Sequence, residues 1–119
     1  QRGGGTRDGA AEALRYAAAH RSSFMWPWEE VPHSIAEGIL DDETYDWVAV
    51  LRGMIATGGT SVVVDEQTLG EANQVARETT GVAVSHTGSA GLAGVLQLKR
   101  EGVIADGARV AVLFSGVQR

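Results

Sequence analysis

The amino-acid sequence predicts a three-layer α/β fold with a mostly parallel sheet and helical crossovers, and three observations support this prediction. From about residue 59 the chain alternates in the order strand, helix, strand, helix, strand, which is typical of parallel strands joined by helices. The predicted strands are continuous apolar runs, as in sheets that are covered on both faces. Many of the 16 glycines lie at junctions between strands and helices.

The helices before residue 59 are predicted from composition and capping. The alanine-rich run that begins at Asp8 favours a helix over 8–21, with Asp8 as its N-cap. Ser34 and Glu37 fit a capping box, which predicts a short helix to about residue 40. An apolar face at helical spacing predicts a longer helix over 43–56. Two prolines between the first two helices predict a connection that carries Trp26 and Trp28.

The elements after residue 59 are bounded by caps and glycines. Asp65 is expected to cap one helix, and Gly81 and Gly102 are expected to end two helices. The predicted elements are strand 61–64, helix 66–79, strand 82–84, helix 89–100 and strand 109–114. Three strands make a thin sheet with open edges, so we expect the sheet to continue in residues outside this chain or in another copy of it.

Composition excludes several classes of function. The chain is 44% hydrophobic and 21% charged, which suits a packed core, and it has no cysteine for disulfides or thiolate catalysis. The net charge of -5 argues against a nucleic-acid partner. No apolar run approaches 18 residues, so no membrane association is predicted and a cytoplasmic location is expected. The opening residues are not a normal start, so a longer parent protein is expected.

Four residues at the predicted ends of two strands form a candidate binding site. In open α/β sheets, ligands bind beyond the carboxyl ends of the strands, where Thr87, Gly88, Ser115 and Gly116 are expected. The hydroxyl of Ser115 can both donate and accept, so it can pair with a heterocyclic nitrogen. The residues alone leave open the alternative that Ser115 is only a small residue that ends a strand.

Other candidate sites are weaker. The glycines of 87–94 follow the spacing G-x-x-G-x-x-G, which is not the dinucleotide pattern and favours close helix packing, so a nucleotide-binding domain is disfavoured. The three histidines show no metal-ligand spacing, and no metal site is predicted. Lys99 is the only lysine in the chain. It lies at the predicted end of a helix, where a solvated cation is expected. A Schiff-base lysine needs a pocket and a lowered pKa, so we expect any such anchor elsewhere and assign no catalytic residue here.

Four passages, in order, resemble fold-type-II pyridoxal-phosphate enzymes, in particular threonine synthases and serine/threonine dehydratases. The passage 32–38 is similar to the family's Thr-Ile-Ala-Asp/Glu-Gly segment, and 80–94 to its Pro-Thr-Gly-Thr-Ala-Gly-Leu-Ala-Gly passage. The other two similar passages are 58–66 and 102–116. Together they cover most of 32–116. The chain departs from the pattern at two places. The Ser-Gly-Gly-Asn ending of the dehydratases is Ser-Gly-Val-Gln here, and the Glu-Pro that is common before the glycine-rich helix is Ser85-His86.

The resemblance implies part of a tryptophan synthase beta-like fold with pyridoxal phosphate as cofactor. Residues 1–31 would be a lead-in and 32–119 the C-terminal part of the cofactor-binding domain. Ser115 would bond the pyridine nitrogen, beside Gly116, Thr87 and Gly88. The parent enzyme would be a lyase that acts on an amino-acid-type molecule such as O-phosphohomoserine. The family's lysine and phosphate cup precede the matched region, so the chain is expected to be inactive alone and to need the remainder of the enzyme or another copy, as a homodimer.

Two alternatives stay open. In the first, the chain is a non-catalytic ligand-binding or assembly module of the same α/β type. In the second, the parent enzyme resembles the serine/threonine dehydratases rather than the threonine synthases. Titration with amino acids and pyridoxal phosphate would separate a module from an enzyme part.

Overall fold

The computed structural model describes residues 7–26, 28–40 and 46–117, and within them the regular structure is helical. The α-helices are α1 (Arg7–Ala19), α2 (Trp47–Thr57), α3 (Glu66–Thr80) and α4 (Ala90–Arg100), with 3-10 turns at Arg21–Ser23 and Glu37–Ile39. The chain divides into two compact units. Unit 1 takes its residues from Gln1–Val31 and Asp41–Ser61, and unit 2 from Pro32–Leu40 and Val62–Arg119.

Unit 1 is a pair of helices, α1 and α2, packed against each other. Leu14 and Ala17, three residues apart on one face of α1, are its buried side chains. The C-terminus of α2 is set by Gly58, whose backbone has a positive φ of 71° and whose N–H bonds back to Met54. Glycine suits this position, because a residue with a Cβ rarely adopts that conformation.

Unit 2 is built on the packing of α3 against α4. Its core consists of small residues and one leucine, with four partly buried hydrophobic residues packed around it. The core residues are Ala36, Leu69, Ala72 and Ala93, and the surrounding ones are Val64, Ala90, Leu92 and Leu96. Ala72 of α3 and Ala93 of α4 have small side chains, which let the two helices approach closely. The packing positions the start of α4 relative to α3.

The start and end of α3 confirm the predicted caps. The Asp65 carboxylate accepts a hydrogen bond of 2.7 Å from the N–H of Thr68, as an N-cap does. Gly81 ends the helix with a φ of 72°. Arg100 of α4 donates hydrogen bonds to the Glu71 carboxylate and to the Thr68 hydroxyl of α3. These bonds connect the two helices at the protein surface.

The predicted parallel sheet is wrong for the described part of the chain. The predicted strands 61–64 and 109–114 have no regular secondary structure and pair with no other described segment, and 82–84 contributes only an isolated antiparallel bridge between Val84 and Val117. Their β-branched composition favours an extended backbone locally, but a strand exists only when a neighbour supplies hydrogen bonds. Without that neighbour, Val63 remains 94% exposed.

The predicted capping box at Ser34 and Glu37 is also wrong. The Ser34 hydroxyl accepts from the N–H of Ala36, two residues on, and the helical turn begins only at Glu37. A carboxylate does bond an N–H of this segment, but it belongs to Glu66 of α3, which accepts from Ile35 at 2.8 Å. The carboxylate that bonds this segment therefore comes from a residue distant in sequence, Glu66, and not from the predicted Glu37.

Within the described residues, every helix is too short or too polar to cross a membrane.

Candidate functional site

The structure brings the four predicted binding residues of unit 2 together at a junction between the turn 85–88 and the segment 115–117. The Ser85 N–H donates to the Gly116 carbonyl at 3.0 Å, and the Ser115 N–H donates to the Gly88 carbonyl at 3.3 Å. These two bonds are backbone interactions between residues about thirty positions apart. They place Ser115 directly beside the turn that begins α4.

Glycine is required at this junction for close approach of the two backbones. A Cβ atom on Gly88 would lie 2.1 Å from the Gly116 carbonyl oxygen and 2.6 Å from its nitrogen. A Cβ on Gly116 would lie 2.9 Å from the Ser85 hydroxyl oxygen. Because backbone atoms cannot move aside as the end of a long side chain can, the Gly88 position excludes every other residue at this separation.

The turn 85–88 is held by its own side chains. The Ser85 hydroxyl accepts from the N–H of Gly88 at 3.0 Å, and the Ser89 hydroxyl donates to the Ser85 carbonyl at 3.0 Å. Ser89 is fully buried. These serines satisfy backbone groups that the turn leaves outside a helix, as local hydroxyl bonds commonly do. The turn is therefore pre-arranged before any ligand binds.

Two side chains of α3 donate hydrogen bonds to the residues that flank the turn 85–88, and the sequence analysis identified neither of them. Asn73 is buried, and its amide donates to the Val84 carbonyl at 2.9 Å and to the Ser89 hydroxyl at 3.2 Å. Arg77, one helical turn further on, donates to the same Val84 carbonyl at 3.2 Å. A signal was present in the sequence, because Asn73 lies next to Ala72 on the buried side of an amphipathic helix, where a polar residue needs a partner.

Thr87, the fourth predicted residue, faces another segment. Its hydroxyl oxygen accepts a hydrogen bond of 2.9 Å from the N–H of Gly38. A Cβ on Gly38 would lie 2.7 Å from the Thr87 methyl carbon, so the contact is tight as well as polar. Thr87 therefore connects the turn to the 32–40 segment, and its hydroxyl already has a protein partner.

Ser115 differs from Thr87 in having its hydroxyl free for a ligand. The residue is exposed, and its side chain has no hydrogen-bond partner among the described residues. A hydroxyl placed beside a rigid backbone junction can donate to or accept from a ring nitrogen. It fits the edge of a heterocycle such as the pyridine of pyridoxal phosphate.

The fit to pyridoxal phosphate is limited to that edge. The Arg77 guanidinium donates to the Val84 carbonyl and that of Arg100 to Thr68 and Glu71, so neither of these two side chains marks a phosphate site at the junction. Lys99 lies at the end of α4, 58% exposed, with its ammonium 3.9 Å from the Asp106 carboxylate. The prediction that this lysine is solvated is confirmed.

Carboxylates around α3 are stabilised in their charged form. The N–H of Thr68 lowers the pKa of Asp65, and the N–H of Ile35, followed by the Ser34 hydroxyl, lowers the pKa of Glu66. The bond from Arg100 lowers the pKa of Glu71. In each case a donor favours the ionised carboxylate, which holds its proton less tightly in the folded protein than in the unfolded chain.

We expect unit 2 to lose stability in acid because of these carboxylates. A pKa lowered by folding contributes stability that is present above the unfolded pKa and is lost as the pH falls through the folded pKa. The melting temperature, followed by circular dichroism, should therefore fall between about pH 5 and about pH 2. Glu66→Gln should reduce this pH dependence. Glu30→Gln, an exposed position in unit 1, is the control, and an equal reduction there would contradict the assignment to Glu66.

Unit 1 contains a separate apolar pocket of about 490 Å³ between α1 and α2. Aliphatic and aromatic side chains form most of its wall, and the hydroxyl-bearing residues Thr60 and Ser61 also line it. The large residues of the wall are Leu14, Tyr16, Phe24, Leu51, Met54 and Ile55. Its volume is within the range of small-molecule sites, and its lining suits an apolar ligand.

Comparison with known proteins gives no relative: no family model matches the chain, and neither a curated protein nor a solved structure matches it significantly.

Proposed function

We propose that this chain supplies the ring-binding part of a pyridoxal-phosphate-dependent lyase of amino-acid metabolism, similar to a threonine synthase that acts on O-phosphohomoserine. The observation that supports the proposal is the free hydroxyl of Ser115 beside the junction of Gly88 and Gly116. The ordered resemblance over 32–116 supports it independently of the structure. The partners are an amino-acid-type substrate and the remainder of the enzyme, in the cytoplasm.

The residues of this chain bind and orient the cofactor ring. Pyridoxal phosphate, when bound, supplies an electron sink for negative charge that develops on an amino acid. The Ser115 hydroxyl bonds the ring nitrogen without carrying a formal charge, so it leaves that nitrogen free of an enforced proton. The absence of side chains at Gly88 and Gly116 keeps the junction narrow. With Lys99 solvated, the covalent anchor comes from outside this chain, and the chain is inactive alone.

Binding of pyridoxine 5′-phosphate tests this proposal. This compound has the ring and phosphate of the cofactor but no aldehyde, so it reports non-covalent binding alone. In a two-dimensional NMR titration of the chain, we expect shifts of the amides of Gly88, Ser115 and Gly116. Ser115→Ala should weaken binding about tenfold, the value of one hydrogen bond of about 1.4 kcal/mol.

The control for that titration is Ser23→Ala, an exposed serine in the 3-10 turn of unit 1. It should leave the affinity unchanged. Shifts that avoid the junction, or an affinity that Ser115→Ala does not alter, would sink the assignment of the ring-binding role to Ser115.

The apolar pocket of unit 1 favours a second candidate function, non-catalytic binding of an apolar ligand. Decanoate is a suitable probe because its chain can lie among the leucine, methionine and isoleucine side chains that line the pocket. Ala13→Phe projects a ring into the pocket and should weaken decanoate binding about tenfold or more in calorimetry. Ala18→Phe on the exposed side of α1 is the matched control. Equal affinities of the two variants would exclude the pocket as the site.

A further inference from the structure

The chain contains two aspartate–glycine pairs, Asp8-Gly9 and Asp106-Gly107, and their backbone surroundings differ. The first pair lies within α1 (Arg7–Ala19), and the second lies in a turn that follows α4. At such a pair the glycine nitrogen can attack the carboxyl group of the preceding aspartate, because glycine has no side chain to hinder the approach. The backbone around each pair therefore decides which of them reacts.

Asp106 is open to solvent. Its side chain is 96% exposed, and its carboxylate lies 3.9 Å from the ammonium of Lys99, whose side chain is 58% exposed. An ion pair between two exposed side chains contributes little stability. This pair therefore does not hold the carboxyl group away from the main chain.

The backbone at 106–107 forms the centre of a single turn. The N–H of Ala108 donates to the Ala105 carbonyl at 3.2 Å, and Gly107 has a positive φ of 80°. Among the residues that the structure describes, the N–H of Gly107 has no hydrogen-bond partner. Because one backbone hydrogen bond closes this exposed turn, the turn can open locally at low cost.

The pair Asp8-Gly9 is restrained by the helix that contains it. In α1 the backbone is helical, with ψ of about −42°. To close a five-membered ring between the glycine nitrogen and the aspartate carboxyl group, the aspartate ψ must rotate away from that value. Reaction at Asp8 therefore requires local opening of α1, which costs more than opening a single turn.

We propose that Asp106-Gly107 is a site at which isoaspartate forms in the folded protein. The Gly107 nitrogen attacks Cγ of the protonated Asp106 carboxyl group, so that a C–N bond forms and the carboxyl hydroxyl leaves with the amide proton as water. Water then opens the five-membered imide. Opening at Cγ restores aspartate, whereas opening at the main-chain carbonyl carbon gives isoaspartate, which has the same mass and one extra carbon in the main chain. The reaction needs only water, and it does not depend on the proposed function.

Peptide mapping of the folded chain tests this proposal. The chain is incubated at about pH 6, above the range in which unit 2 is expected to lose stability, and is then digested and analysed by liquid chromatography and mass spectrometry. Isoaspartate gives a peptide of unchanged mass and altered retention that resists an endoproteinase specific for aspartate. We expect conversion at 106 to be about tenfold faster than at 8, because α1 must open before Asp8 can react. Equal rates, or faster conversion at 8, would overturn the proposal.

Incubation in urea separates the effect of the fold from that of the neighbouring residues. With α1 unfolded, the rates at 8 and 106 should agree within about twofold. A tenfold difference that persists in urea would contradict the role assigned to the turn.

A substitution at Gly107 tests the attacking group. Gly107→Ala should slow conversion at 106 about tenfold, because the new Cβ hinders the approach of the nitrogen. Gly102→Ala is the matched control, since Gly102 also has a positive φ, of 77°, and a Cβ at either glycine meets no atom within 4 Å. It should leave the rate unchanged. Equal slowing in the two variants would show that the Gly107 nitrogen is not the attacking group.

Discussion

Gly88→Val should destabilise unit 2 by about 3 kcal/mol, the upper part of the range for overpacking a close contact. The first carbon of the new side chain would overlap the backbone of Gly116, to which it would come within 2.1 Å of the carbonyl oxygen. The segment 115–117 must then separate from the turn. That separation breaks the bonds from Ser85 to Gly116 and from Ser115 to Gly88.

The measurement is urea unfolding followed by circular dichroism, with the midpoint and slope fitted together. Gly94→Ala is the matched control, because a Cβ at Gly94, inside α4, meets no atom within 4 Å. It should stabilise the protein by about 0.5–1 kcal/mol, since glycine costs that much inside a helix. If Gly88→Val were tolerated as well as Gly94→Ala, the close approach of 88 and 116 would not exist.

Asn73→Asp should cost about 3 kcal/mol at neutral pH, although the two side chains have the same shape. The amide nitrogen that donates to the Val84 carbonyl and the Ser89 hydroxyl becomes an oxygen. A buried carboxylate then faces a carbonyl oxygen, and both the lost donor and the buried charge are unfavourable. Protonation restores a donor, so part of the stability should return as the pH is lowered.

Thermal unfolding of this variant at about pH 7 and about pH 4.5 distinguishes the charge from a general packing defect. Val75→Asp introduces the same carboxylate on α3 at a residue that is 41% exposed, and it should cost little at either pH. An Asn73→Asp protein that is no less stable than Val75→Asp would show that the amide is not buried as described.

The helices were predictable from sequence because their signals are local. Asp65 as the N-cap of α3 and Gly81 as its end follow from neighbouring residues and were found at nearly the predicted positions. The four binding residues were chosen one segment at a time. The structure places Gly88 and Gly116 in contact, and it gives Thr87 a partner, Gly38, that no local pattern indicates.

The sheet was not predictable in the same way. A run such as 61–64 has the composition of a buried strand, but composition does not say whether a neighbouring strand is present. The same reason explains the wrong capping box at Ser34. The N–H of Ile35 is bonded by Glu66, which lies 31 positions further along the chain. Distant partners are decided by the whole fold, and a short motif does not identify them.

The interleaved arrangement of the two units has a consequence for how the protein folds and how it can be cut. The chain leaves unit 1 after Val31 and returns to it at Asp41 before entering unit 2 again at Val62. A protease cut after Val31 divides unit 1, a cut after Ser61 divides unit 2, and a cut after Leu40 divides both, so no single cut leaves both units whole. During synthesis, Pro32–Leu40 must also wait for Glu66 and Thr87 before its hydrogen bonds can form. Both units thus depend on closure of long loops, which slows folding more than it weakens the final structure.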